Sequence, residues 1–253
     1  MTTKTYKRKD GRKNNEMRSP IVAKVGIIPN ADGSAMFQIG KTIAIAAVYG
    51  PKKMHPQHSQ NPEKGTLRCT YNMLSFSVND RIRPGPNRRS TEISKITQWA
   101  LDPVVMLDRY PSMVVDVHIH ITQADAGTRC AGINAAAMAL AHAGIPMKDM
   151  VSSVSVGKID KTLVLDLDKY EDSEFDEGEG STDIPMSFTR RGEITHLQLD
   201  GKISKEQLKE AIKMAKKACE EIYEIQKKAL KDTVEEMKWL KHHIWQVKEL
   251  ENT

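Results

Sequence analysis

The chain has 253 residues, 39% of them hydrophobic and 28% charged, which suffices to bury a core and excludes a disordered, charge-dominated segment. Aromatic residues make up only 5%, which argues against an RNA surface built on stacked aromatic rings. The net charge is +5, too small to demand a polyanion partner, so its distribution along the chain matters more than the total.

Residues 1–18 carry Lys4, Lys7, Arg8, Lys9, Arg12, Lys13 and Arg18 against Asp10 and Glu16 and read as a flexible basic arm. Residues 21–28, 34–39 and 42–49 are rich in β-branched and apolar residues. They are separated by Pro29-Asn30-Ala31-Asp32-Gly33 and Gly40-Lys41, turn signals that predict an antiparallel meander. Residues 50–66 hold prolines and histidines and read as a loop. A strand is expected over 67–78, then a Pro-Gly-Pro loop. Ser90 opens a helical pattern in which Ile93, Ile96 and Ala100 share one face. Residues 113–121 alternate, with Met113, Val115, Val117, Ile119 and Ile121 facing a core and Asp116, His118 and His120 facing away. Residues 127–143 are Ala-rich, with Gly144 and Pro146 as stop signals, and predict a closely packed helix. Strands follow at 151–156, 162–167, 184–190 and 193–199. Ser204 and Gln207 fit a capping box that opens a long terminal helix. The expected division is an arm over 1–18, a first half over 19–149, a second half over 150–230 and a C-terminal helical extension over 231–253. The fold class is α+β.

Cys69, Cys130 and Cys219 are far apart and form no CxxC, so a reducing compartment, the cytoplasm, is expected. The N-terminus is charged, unlike a signal peptide. No run of about 18 apolar residues is present, so no membrane partner is expected.

Three segments have the composition for phosphate chemistry. Residues 166–183 hold many carboxylates, which read either as a solvated loop or as oxygen donors for a magnesium ion. Asp125-Ala126-Gly127-Thr128-Arg129 precedes the Ala-rich helix, where backbone N–H groups, the helix dipole and an arginine favour an anion. Asn87-Arg88-Arg89-Ser90 also precedes a helix, and paired arginines grip phosphates. His55 and His58 have no further metal ligand near in sequence. Two anion sites and one carboxylate site suit phosphoryl transfer, in which catalysis is mainly positioning and charge stabilisation.

Several longer stretches then occur in order: Asp10-Gly11-Arg12, Asn30-Ala31-Asp32-Gly33-Ser34-Ala35, Ala46-Ala47-Val48-Tyr49-Gly50-Pro51, Met54-His55-Pro56, Asn87-Arg88-Arg89, Gln123-Ala124-Asp125-Ala126-Gly127-Thr128-Arg129 and Ala143-Gly144-Ile145-Pro146-Met147. From about residue 9 to about 230 the chain resembles the RNase PH family, in its archaeal exosome branch. The resemblance implies a β-α-β-α fold related to the second domain of ribosomal protein S5, in a ring-forming subunit. It implies 3′→5′ phosphorolysis of single-stranded RNA with inorganic phosphate as co-substrate and Mg2+ or Mn2+ as cofactor, a reaction that can reverse to add 3′ tails. The implied partners are a homologous inactive ring subunit, alternating in a hexamer, and RNA-binding cap subunits.

By the same resemblance Gly127, Thr128, Arg129 and Arg89 bind phosphate, Arg88, Arg68 and His58 contact RNA, and Asp183 is the second catalytic and metal-holding acid. The first acid is displaced from its usual spacing of six, where Glu177 stands, which leaves Asp172 and Asp176 as equal candidates. Thr70 stands where the family commonly has another channel arginine, which implies a weaker grip on RNA there. The altered acid spacing keeps open a non-catalytic, RNA-binding scaffold subunit. A homohexameric, tRNA-trimming RNase PH is the third reading.

Overall fold

The computed structural model describes residues 6–175, 178 and 180–251, with side chains through residue 235. β1 (Ile21–Val25), β2 (Gly33–Ile39) and β3 (Thr42–Lys53) form the expected meander. β4 (Thr66–Met73) leads through α1 (Arg88–Leu101) to β5 (Met113–Gln123), which lies parallel to it. The five strands run in the order β1-β2-β3-β5-β4. After α2 (Thr128–His142), the strands β6 (Val151–Ile159), β7 (Thr162–Leu165), β8 (Ser181–Thr189) and β9 (Ile194–Leu197) make a second, antiparallel sheet in the order β7-β6-β8-β9. α3 (Lys205–Glu251) ends the chain's described part. Among the described residues no helix is long and apolar enough to cross a membrane.

α2 is the hub. It packs on β2 and β3 of the first sheet and on β6 of the second, and every residue from Cys130 to Leu140 is buried. Five alanines and Gly132 among these positions let both sheets approach the helix axis. Its one buried amide is satisfied: Asn134 donates to the Ser153 carbonyl at 2.8 Å, accepts from the Ser153 N–H at 2.8 Å, and accepts from Gln226 at 3.2 Å. The close approach to β2 is visible at Gly33, where a Cβ would sit 2.4 Å from the Ala139 carbonyl oxygen and 2.4 Å from the Ala143 nitrogen. Backbone on both sides cannot yield as a side chain could. Gly33→Ala is therefore expected to destabilise the chain by about 1–3 kcal/mol, measured as a lower urea midpoint; an unchanged midpoint would contradict this packing.

Several element edges differ from the sequence reading. α1 begins at Arg88, because Asn87 is its N-cap: the Asn87 side chain accepts from the Ser90 N–H, and the Ser90 hydroxyl accepts from the Asn87 N–H, both at 2.8 Å. The expected capping box at α3 is present, with Ser204 and Gln207 exchanging bonds of 3.1 and 3.2 Å. β3 runs on to Lys53 instead of ending before the loop. Met113 is 40% exposed rather than in the core.

The larger correction concerns the flexible basic arm. Its described part, from Tyr6, is tied to the second half. Arg8 is 3% and Arg18 6% exposed, and both are paired with carboxylates of the acidic stretch, Glu171 and Asp166. A buried guanidinium is tolerated only when paired and fully hydrogen-bonded, and these two are.

Candidate active site

The candidate anion-binding turn is built where β5 hands over to α2. Ala126 and Gly127 take left-handed conformations, with φ of 58° and 61°. Glycine adopts this freely, but an alanine there stores about 1–3 kcal/mol and persists only when its surroundings hold it. The Thr42 hydroxyl donates to the Ala126 carbonyl at 2.8 Å and to that of Asp125 at 3.1 Å. Arg18 also donates to the Asp125 carbonyl. With the carbonyls held from behind, α2 starts at Thr128 with no side chain capping its first turn, so its N–H groups and dipole remain available to an anion. The Thr128 hydroxyl is buried beside that of Tyr71, and neither oxygen has hydrogen-bonding geometry with a partner. Arg129 follows and is held by the Gln198 side chain, which in turn donates to Glu92 of α1 at 3.2 Å.

The acids come from the second half. Asp183 lies early in β8, opposite Gly157 of β6, and accepts a hydrogen bond from Ser155. Asp200 pairs with it through backbone bonds of 3.0 and 2.9 Å. Burial raises the Asp183 carboxyl to about 6, and the charges of Asp172 and Asp200 add to the rise while Ser155 and Arg129 oppose it. Asp172 sits in a one-turn π-helix over Tyr170–Glu174. Burial raises its pKa as well, against the lowering influence of Arg89, Arg129 and Arg18. Two carboxylates that disfavour each other's charge, with Asp200 beside them, are a place where a cation would relieve repulsion.

The structure thus gathers Gly127, Thr128, Arg129, Arg89, Asp172 and Asp183 from both halves. The other acid candidate, Asp176, and its neighbour Glu177 lie outside the described residues. Arg88 shares the first turn of α1 with Arg89, and both are exposed. Arg68 is on β4, held by Asp116 at 2.6 and 2.9 Å, with its side chain 48% exposed. His58 lies exposed in a single turn of 3-10 helix over Gln57–Ser59. Among the described residues no hydrogen bond ties Arg88, Arg68 or His58 to the acid cluster, and no group of three or more His, Cys, Asp or Glu is spaced to hold a metal ion by itself.

Sequence reasoning missed Asp200, Gln198, Ser155 and Arg18. Asp200-Gly201 closing a strand was a usable signal for the first. The others act through pairings across more than 25 residues, which no local pattern reveals.

The chain is similar to known proteins over most of its length. Residues 16–146 match the family described as "3' exoribonuclease family, domain 1" (RNase_PH), and residues 149–218 match its domain 2. The exosome complex component Rrp41 of Thermococcus kodakarensis is 49% identical over 227 residues, 89% of each chain. The protein of the same name from Methanopyrus kandleri is 46% identical over 226 residues, 89% of this chain and 92% of its own. Among solved structures, rice Rrp46 superposes with a TM-score of 0.77 at 24% identity, covering 88% of this chain and all of the other. An Archaeoglobus fulgidus exosome with RNA bound superposes at 0.74 and 19% identity, covering 86% and 92%. These two share the fold.

Proposed function

Because the chain belongs to the RNase PH family of 3′ exoribonucleases, we propose that it is the catalytic subunit of an archaeal-type exosome, removing nucleotides from RNA 3′ ends by attack of inorganic phosphate. The observation that carries this reading is the meeting of Arg89 and Arg129 with Asp172 and Asp183. A phosphate anion fits the N–H groups at the start of α2 with Arg129 and Arg89 beside them, which neutralise it and hold it in line with the terminal phosphodiester. A phosphate oxygen forms the new bond to phosphorus, the bond to the 3′ oxygen of the preceding nucleotide breaks, and a nucleoside diphosphate leaves.

Asp183 and Asp172 fit a Mg2+ or Mn2+ ion, which takes one or two carboxylates and completes its shell with water and substrate oxygens. When bound it would supply the charge that stabilises the leaving 3′ oxygen. The Ser155 hydroxyl orients Asp183 for that role. Asp172 is taken as the first acid in this reading; its charge, like that of Asp200, raises the Asp183 carboxyl.

Single-stranded RNA reaches the site past Arg88, Arg68 and His58, through a ring in which this chain alternates with an inactive homologue beneath RNA-binding caps. Asp116 already engages Arg68, and Thr70 beside it adds no charge, so RNA contact at β4 is weak and backbone-directed. The three free thiols, Cys69, Cys130 and Cys219, suit a reducing cytoplasm. A scaffold subunit would have no use for the acid pair beside an arginine-lined anion site. A tRNA-trimming homohexamer is disfavoured by the high identity to exosome components.

The reverse reaction tests the assignment. The ring assembled with its homologous partner, given a nucleoside diphosphate, Mg2+ and an RNA primer, should lengthen the primer and release inorganic phosphate. A ring that shortens RNA but never extends it would point to hydrolysis instead.

A further inference from the structure

The N-terminal arginines are more than anchors of a chain end. Arg8 holds Glu171 through both carboxylate oxygens, at 2.9 and 2.7 Å, and donates to the Leu165 and Asp166 carbonyls at 2.8 and 2.9 Å. Glu171 is fully buried and directly precedes Asp172. It is also fixed within its own turn: the Asp168 side chain accepts the Glu171 N–H at 2.8 Å, and the Glu171 side chain accepts the Asp168 N–H at 3.2 Å. The π-helical turn that carries Asp172 is thus pinned by a residue more than 160 positions away.

Arg18 does the same for the other component of the site. Its guanidinium takes both Asp166 oxygens, at 3.0 and 2.8 Å, and its own N–H donates to Asp166 at 2.7 Å. The same guanidinium donates to the Asp125 and Ala126 carbonyls, behind the anion-binding turn. Ala126, Gly127 and Asp166 all have positive φ, 58°, 61° and 54°, and all three gather on this one side chain. A Cβ on Gly127 would lie 3.2 Å from an Arg18 nitrogen. Non-glycine residues keep such conformations only where neighbours over-determine them, commonly at functional sites. Arg12 adds a bond to the Asp166 carbonyl at 3.1 Å.

We propose that Arg8 and Arg18 form a clamp that sets the distance and orientation between the phosphate-binding turn of the first half and the Asp172 segment of the second, which makes them positioning residues for the reaction. The inference rests on the phosphorolytic reading above. Neither side chain is required to touch substrate. Attack geometry tolerates little displacement, so a shift of about 1 Å between the two components costs about a hundredfold in rate.

The test uses the assembled ring with two kinds of variant. The neutral pair Arg8→Met with Glu171→Leu removes the ion pair without leaving a buried charge, which limits the cost to folding. Arg18→Lys keeps the charge but cannot bridge Asp166 and the turn carbonyls together. Both rings should assemble, melt within a few degrees of the unmodified ring and bind RNA with unchanged affinity. Arg8→Met/Glu171→Leu should lower kcat at least tenfold with little change in KM for phosphate. Arg18→Lys should lower kcat and raise KM for phosphate, each about tenfold. Folded, assembled variants with kcat and KM within twofold of the unmodified ring would overturn the clamp while leaving the functional reading intact. An unmodified ring without phosphate-dependent activity would overturn both.

Discussion

Asp183→Asn is expected to abolish phosphorolysis and, in the same variant, to stabilise the metal-free subunit at neutral pH. The two effects share one cause. Asp183 is held in a pocket that disfavours its charge, with its pKa raised from 3.8 to about 6. A folded-state pKa above the unfolded one means that the native chain binds this proton more tightly. The stability this confers is fully present below about pH 4, where Asp183 is protonated in both states, and is lost as pH rises through 6. At pH 7.5 the loss is about 3 kcal/mol at most. Asparagine keeps the shape and removes the charge. With chelator present, Asp183→Asn should raise Tm by several degrees at pH 7.5 and by little at pH 4. Activity should fall at least ~10²–10³-fold, the scale for losing one charge-stabilising group, with RNA binding retained. A variant that melts lower than the parent at pH 7.5 would contradict the electrostatic account of this site. A variant that keeps its activity would remove Asp183 from the catalytic set.

The second large effect is expected at Arg129. Its guanidinium is aimed by Gln198, which is itself held by Glu92, and it sits at the first turn of α2 beside Gly127 and Thr128. In the proposed reaction, Arg129→Ala removes the directed partner of the attacking phosphate. kcat/KM for phosphate should fall by about 10²-fold or more, mostly through KM, while RNA affinity changes little. Arg129→Lys should rescue only weakly, because an ammonium cannot grip phosphate bidentately. Phosphate titrations at saturating RNA measure this directly. An unchanged KM for phosphate, with RNA binding weakened instead, would move Arg129 from the phosphate site to the RNA path.

Where local chemistry dictates conformation, the sequence was a sufficient guide. The meander was readable from the Asp32-Gly33 and Gly40-Lys41 turns, and α2 from Gly127 at its start and Gly144 past its end, both with positive φ. The strand edges were less legible, because pairing decides them: β3 continues to Lys53 only where β5 offers partners. Taking Ser90 as the first helical residue of α1 mistook the N3 member of a capping box for the start.

The arm was misread for a different reason. A run of lysines and arginines has the composition of a solvated tail, and its carboxylate partners, Glu171 and Asp166, lie about 150 residues away. That long-range neutralisation also explains the acidic stretch. Part of it is not a solvated loop at all, since Glu171 and Asp166 are buried counterions of the arm, whereas Asp172 lies with Asp183 in the candidate site. The resemblance to the RNase PH family supplied the anion-binding turn and Asp183 residue by residue. It could not supply Arg8 or Arg18 as site-organising residues, whose meaning rests on which backbone carbonyls they reach.

The most direct test of the central claim follows one oxygen-labelled phosphate. The assembled ring is given Mg2+, a 3′-tailed single-stranded RNA and inorganic phosphate fully labelled with heavy oxygen, and the released nucleotides are separated and weighed. Nucleoside diphosphates that carry the label in the β-phosphate are the expected result, because a phosphate oxygen attacks and that phosphate becomes the β group. Unlabelled nucleoside monophosphates, released equally without added phosphate, would show water as the nucleophile and contradict phosphorolysis by this chain.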